Sequence, residues 1–140
     1  MTKFIKLFLV FFVSILFSFG ALASGTNLLQ KVVGDVYVNK SKAKEGATVK
    51  SGDEITTVSK SNATVLFGDE VYQLRENTTF VLPKSIEKKD TSSLIAGSVL
   101  AAFTPGKPRQ MKIGGKATLS IRGTGIYAQV DAKGLVHYCL

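Results

Sequence analysis

Apolar residues in this chain recur at every second position, and that spacing excludes most folds before any motif is read. Ala63, Val65 and Phe67 share one parity, as do Tyr72 with Leu74, Phe80 with Leu82, and Ile126, Ala128 and Val130. Side chains alternate across an extended strand, so each set lines one face of a ribbon. Gly, Asp, Asn, Ser and Pro stand between the sets, as turns require. Beyond the N-terminal segment no run carries the i, i+3, i+4 stripe of an amphipathic helix. The expectation is an all-β domain, a compact β-roll or sandwich of short, mostly antiparallel strands.

The turns repeat. Gly34-Asp35, Gly52-Asp53 and Gly68-Asp69 each precede a β-rich run, and Gly52-Asp53-Glu54-Ile55 nearly duplicates Gly68-Asp69-Glu70-Val71. Glycine supplies a positive φ, and aspartate bonds the backbone two residues on. Residues 94–103 form a longer apolar run, broken by Gly97. Residues 83–93 are rich in charge, Ser and Thr, and read as an exposed loop. Residues 105–108 form a second break, and Asp131-Ala132-Lys133-Gly134 turns a final hairpin. Near the C-terminus the alternation of Ala117, Leu119 and Ile121 meets that of Ile126, Ala128 and Val130 at Arg122-Gly123-Thr124-Gly125. Two glycines in three positions predict backbone dihedrals closed to other residues. Arg122 is expected on the face opposite Ile121.

The first 23 residues read as an export signal. Lys3 and Lys6 form the basic end, residues 7–19 are apolar apart from Ser14 and Ser18, and Ala21-Leu22-Ala23 is a small-x-small cleavage pattern. A signal-peptide helix over 1–23 therefore precedes one domain over 24–140, periplasmic or secreted. An uncleaved anchor is the alternative. Loss of Lys3 and Lys6 leaves 16 basic residues against 10 acidic ones, a formal +6. That balance favours an anionic glycan, a lipid headgroup or an acidic protein surface; export disfavours nucleic acid. Cys139 is the one cysteine, so no intrachain disulfide can form, and the thiol is free or pairs between chains.

Five motifs in order resemble the periplasmic domain of the FecR family. They are Gly34-Asp35-Val36, Gly52-Asp53-Glu54-Ile55-Thr56-Thr57, Ser61-Asn62-Ala63-Thr64-Val65, Leu94-Ile95-Ala96-Gly97-Ser98-Val99, and Arg122-Gly123-Thr124-Gly125-Ile126. The resemblance spans residues 30–131. It implies a β fold and an envelope compartment, not direct control of a sigma factor. The motifs and the repeated turns together lead to structural roles for Gly52, Asp53, Thr57, Gly68, Asp69, Gly97, Gly123, Thr124 and Gly125, although family members often carry an Asp-Gly hairpin where this chain has Phe67-Gly68-Asp69-Glu70.

Candidate contact residues are basic. Arg122 offers a two-pronged guanidinium for a carboxylate or phosphate; the plainer role is to pair with a carboxylate or cap carbonyls beside the joint. Lys40, Lys42 and Lys44 share a face if extended, and Lys107, Arg109, Lys112 and Lys116 form a second basic stretch. Such lysines also block unwanted pairing at strand edges. Asp53 and Asp69 with Glu54 and Glu70 offer oxygen ligands but match no complete calcium loop. His137 and Cys139 face the same way on a strand, half of a zinc site at most. A nucleophile with a neighbouring base is not legible. The expectation is a non-catalytic binding or sensing module without cofactor or metal, its partner an envelope protein or an anionic glycan or lipid. The alternative is a self-assembling envelope protein joined through its C-terminal strand or Cys139.

Overall fold

The computed structural model describes residues 27–85 and 91–140. The expected signal segment lies outside them, as does the middle of the expected loop, residues 86–90. Twelve strands follow one another: β1 (Leu28–Val33), β2 (Val36–Val38), β3 (Ser41–Ala43), β4 (Glu54–Thr57), β5 (Asn62–Phe67), β6 (Glu70–Leu74), β7 (Thr79–Val81), β8 (Thr91–Ala102), β9 (Arg109–Ile113), β10 (Ala117–Ile121), β11 (Gly125–Val130) and β12 (Val136–Cys139). Among the described residues no helix occurs. The all-β expectation holds.

The strands join into one sheet ordered β1-β5-β6-β8-β7-β4-β2-β3, curled as a half-barrel. From β8 hang two further ladders, β9 with β10 and β11 with β12. Every pairing is antiparallel except β8 with β9. β8 is twelve residues long and serves both ends of the sheet. Its first half pairs β7 and β9, its second β6 and β11. Gly97 stands at the change-over with φ 85°. A Cβ there would lie 2.3 Å from Thr78 Oγ1 and 2.5 Å from the Asn77 carbonyl oxygen. Only glycine fits this corner.

The period-two sets point inward as expected. Ala63, Val65, Phe67, Tyr72, Leu74, Phe80, Leu82, Ile126 and Ala128 are buried in one core with Leu94, Met111, Ile113 and Ile121. Tyr72 stacks tilted on Phe80 at 4.8 Å between ring centroids and meets Phe103 edge-on at 6.0 Å. Each large side chain buried here contributes about 1.5–3 kcal/mol relative to exposure.

Two expectations need correction. Residues 83–93 do not form one exposed loop: Pro83 is buried, and Thr91 to Ser93 open β8, with Ser92 buried. Small hydroxyl side chains fit between β7 and β9, and the ladders there satisfy the backbone. The Gly-Thr-Gly joint is the second. β10 and β11 do not pair with each other; the joint carries the chain from the β9 ladder to the β8 ladder. Neither Gly123 nor Gly125 has a positive φ. At Gly125 a Cβ would lie 3.2 Å from the Ala101 carbonyl oxygen, a close contact. The Thr124 carbonyl accepts from Phe103 N–H at 2.8 Å.

Candidate ligand-binding surface

The basic residues singled out by sequence separate into three environments. Lys40 occupies the second place of the two-residue turn between β2 and β3, with φ 68° after Asn39 at 50°. It is therefore not extended, and Lys40, Lys42 and Lys44 do not form one strand face. Lys42 lies on β3, pairs with Asp35 at 2.8 Å, and is held above its ordinary pKa chiefly by that bond. β3 is an edge strand, where exposed lysines discourage further pairing.

Arg109 is the clearest correction. It opens β9 on the same parity as Met111 and Ile113, all three buried. Its Nε donates to Glu70 Oε1, and its Nη2 lies 3.7 Å from Asp69 Oδ1 without a hydrogen bond. The Tyr72 hydroxyl donates to the other Glu70 oxygen. Burial first, then the Glu70 charge, pushes the Tyr72 pKa far up, so this hydroxyl stays protonated. Arg109 is thus a partner of the core and is unavailable to a ligand. The Glu70–Tyr72–Arg109 cluster went unnoticed in the sequence, although Glu70 shares the parity of Tyr72 and Leu74.

The turn residues are occupied by their own backbone and neighbours. Asp53 accepts from Lys50 N–H at 2.8 Å and from the Asn39 amide at 2.9 Å. Gly52 takes φ 79°, and its N–H donates to the Pro83 carbonyl at 3.2 Å. Thr57 is buried; its hydroxyl donates to the Arg75 carbonyl and accepts from Thr78 N–H at 3.0 Å. Gly68 takes φ 63°, and the Asp69 carboxylate pairs with Lys107 at 3.1 Å. The Lys107 bond, then that of Thr104, hold Asp69 below its ordinary pKa of 3.8. Asp131 accepts from the N–H groups of Lys133 and Leu135, both at 2.8 Å. His137 is exposed 3.9 Å from Asp131, and Cys139 is exposed two residues on. Among the described residues no three His, Cys, Asp or Glu side chains converge as a metal set would.

Arg122 lies just beyond β10, exposed, opposite buried Ile121 as expected. Among the described residues it forms no ion pair and no side-chain hydrogen bond, so the anticipated carboxylate or carbonyl cap is not made. It lines a cavity of about 320 Å³ with Gly106, Lys107 and Pro108. Arg122 and Lys107 therefore stand together at one mouth, reached from two loops 15 residues apart in sequence. Lys112 is exposed on β9, and Lys116 lies in the β9–β10 turn, also exposed. With the geometry in place, comparison with known proteins adds no relative: no family model, curated protein or solved structure matches.

Proposed function

We propose that the chain is an exported, FecR-like β domain that acts in the periplasm or outside the cell as a non-catalytic binding module, contacting an envelope protein or an anionic envelope polymer. The unpartnered Arg122 guanidinium carries this reading. An exposed fork beside Lys107 suits a carboxylate or phosphate. The curled sheet, taken as a roll, carries the two loops of that mouth, and the net positive charge steers an anionic partner toward it. Among the described residues the one buried carboxylate, Glu70, is held by Arg109 and Tyr72.

The test is recovery of the exported protein with its bound envelope components. The chain is expected to retain a component that Arg122→Gln with Lys107→Gln releases. Retention of nothing above background, or of the same component by the double variant, overturns the reading. A second reading, self-assembly, is favoured by one feature. Among the described residues β12 pairs only with β11 and exposes Leu135, Tyr138 and Leu140 beside it, an open edge of the kind that adds strands.

A further inference from the structure

A second surface, sharing no lining residue with the mouth of Arg122 and Lys107, crosses the outer face of the sheet. Two depressions, of about 590 and 530 Å³, meet at Arg75 and Glu76. The first lies over β1, β5 and β6, the second over β8 and β11. These five strands are neighbours in the order β1-β5-β6-β8-β11. At the usual spacing of adjacent strands the combined groove runs roughly 19 Å.

We propose that this groove binds a linear, carboxylate-bearing polysaccharide; the assignment rests on the binding-module reading and names a ligand class and a site for it. Lys31, Lys60 and Arg75 line the first depression. Among the described residues none of the three has a carboxylate partner. The one acid beside them, Glu76, accepts from the backbone N–H of Lys60 at 2.8 Å. That bond holds Lys60 in a left-handed conformation, φ 56°, which costs a lysine more than a glycine. The strained position thus keeps a cation at the rim where glycine would sit more easily.

The remaining lining suits hydroxyl groups. Asn62 and Gln73 are exposed, and among the described residues their side-chain amides have no partner; each amide both donates and accepts. In the second depression the Gln129 side-chain Oε1 accepts from the Tyr127 hydroxyl at 3.1 Å, which leaves the Gln129 NH₂ free to donate. Of the large apolar side chains in the lining, Leu74 and Val130 are buried, Tyr127 is half-buried and Val33 is exposed. Unpaired cations and side-chain amides together match the carboxylates and hydroxyls of an acidic sugar chain. Carboxylates of the sugar chain would meet Lys31, Lys60 and Arg75 in the first depression, and its hydroxyls the amides along the groove.

Titration of the exported protein with a polygalacturonate oligomer tests this. Binding is expected, weakening as salt rises, with at least a tenfold loss in Lys60→Gly and in Arg75→Gln. Lys60→Gly relieves the backbone strain, so its thermal midpoint should hold or rise while affinity falls; a merely structural Lys60 predicts the reverse. Arg122→Gln with Lys107→Gln should bind the oligomer unchanged, which separates this groove from the mouth above. The proposal is overturned by absence of binding, by equal binding of a neutral glucan or polyglutamate, or by full affinity in Lys60→Gly with Arg75→Gln.

Discussion

At the scale of single residues the buried pair of Glu70 and Arg109 matters most to stability. Removing one member leaves an uncompensated charge in the core. Arg109→Met is expected to cost about 3–5 kcal/mol in urea unfolding. Adding Glu70→Gln should restore most of it, because the Gln carbonyl still accepts from Tyr72 and no charge remains. Failure of the second substitution to rescue the first would show that Arg109 acts by packing alone. Asp69 gives a pH signature. Its folded pKa lies below the ordinary 3.8, so its contribution is fully present above that value and is lost as pH falls through the folded pKa. Asp69→Asn should flatten the acid limb of stability against pH, modestly, since the Lys107 pair is solvent-exposed. The pairing of Glu70 with Arg109 was half legible: each shares the parity of a core strand, which places both inward. That they meet depends on β6 and β9 approaching across the core, and no local pattern encodes that.

At the scale of elements, β8 organises the molecule. Its two halves pair different partners, and Gly97 makes the turn between them. Gly97→Ala combines a left-handed φ with contacts of 2.3 and 2.5 Å on the Thr78 segment. A loss above about 4 kcal/mol is expected, or failure to fold. Gly123→Ala meets open space and should change the midpoint by less than about 0.5 kcal/mol. Equal effects would put the joint, not the corner, at the centre of the fold. The sequence marked Gly97 as a break in an apolar run without showing what approaches it. It marked Gly123 for backbone freedom that the joint does not use, because a crossover of three residues needs no positive φ. The start of β8 was hidden by its polarity: Ser and Thr read as loop until two neighbouring ladders claim them.

At the scale of the whole molecule, the curled sheet leaves β12 with one partner and Cys139 exposed beside it. If copies join there, a disulfide dimer is expected on non-reducing gels of the exported protein and should disappear in Cys139→Ser. A monomer under both conditions removes the covalent form of that assembly. The alternation of apolar residues, the Gly-Asp turns and the last hairpin were written in local order, since a strand's two faces and a turn's dihedrals depend on a few adjacent residues. Which strands pair, which lysines find carboxylates, and that Lys31, Lys60 and Arg75 stand on one face were decided by tertiary structure. Those relations join segments far apart in the chain, and only the closing of the sheet around its core brings them within reach.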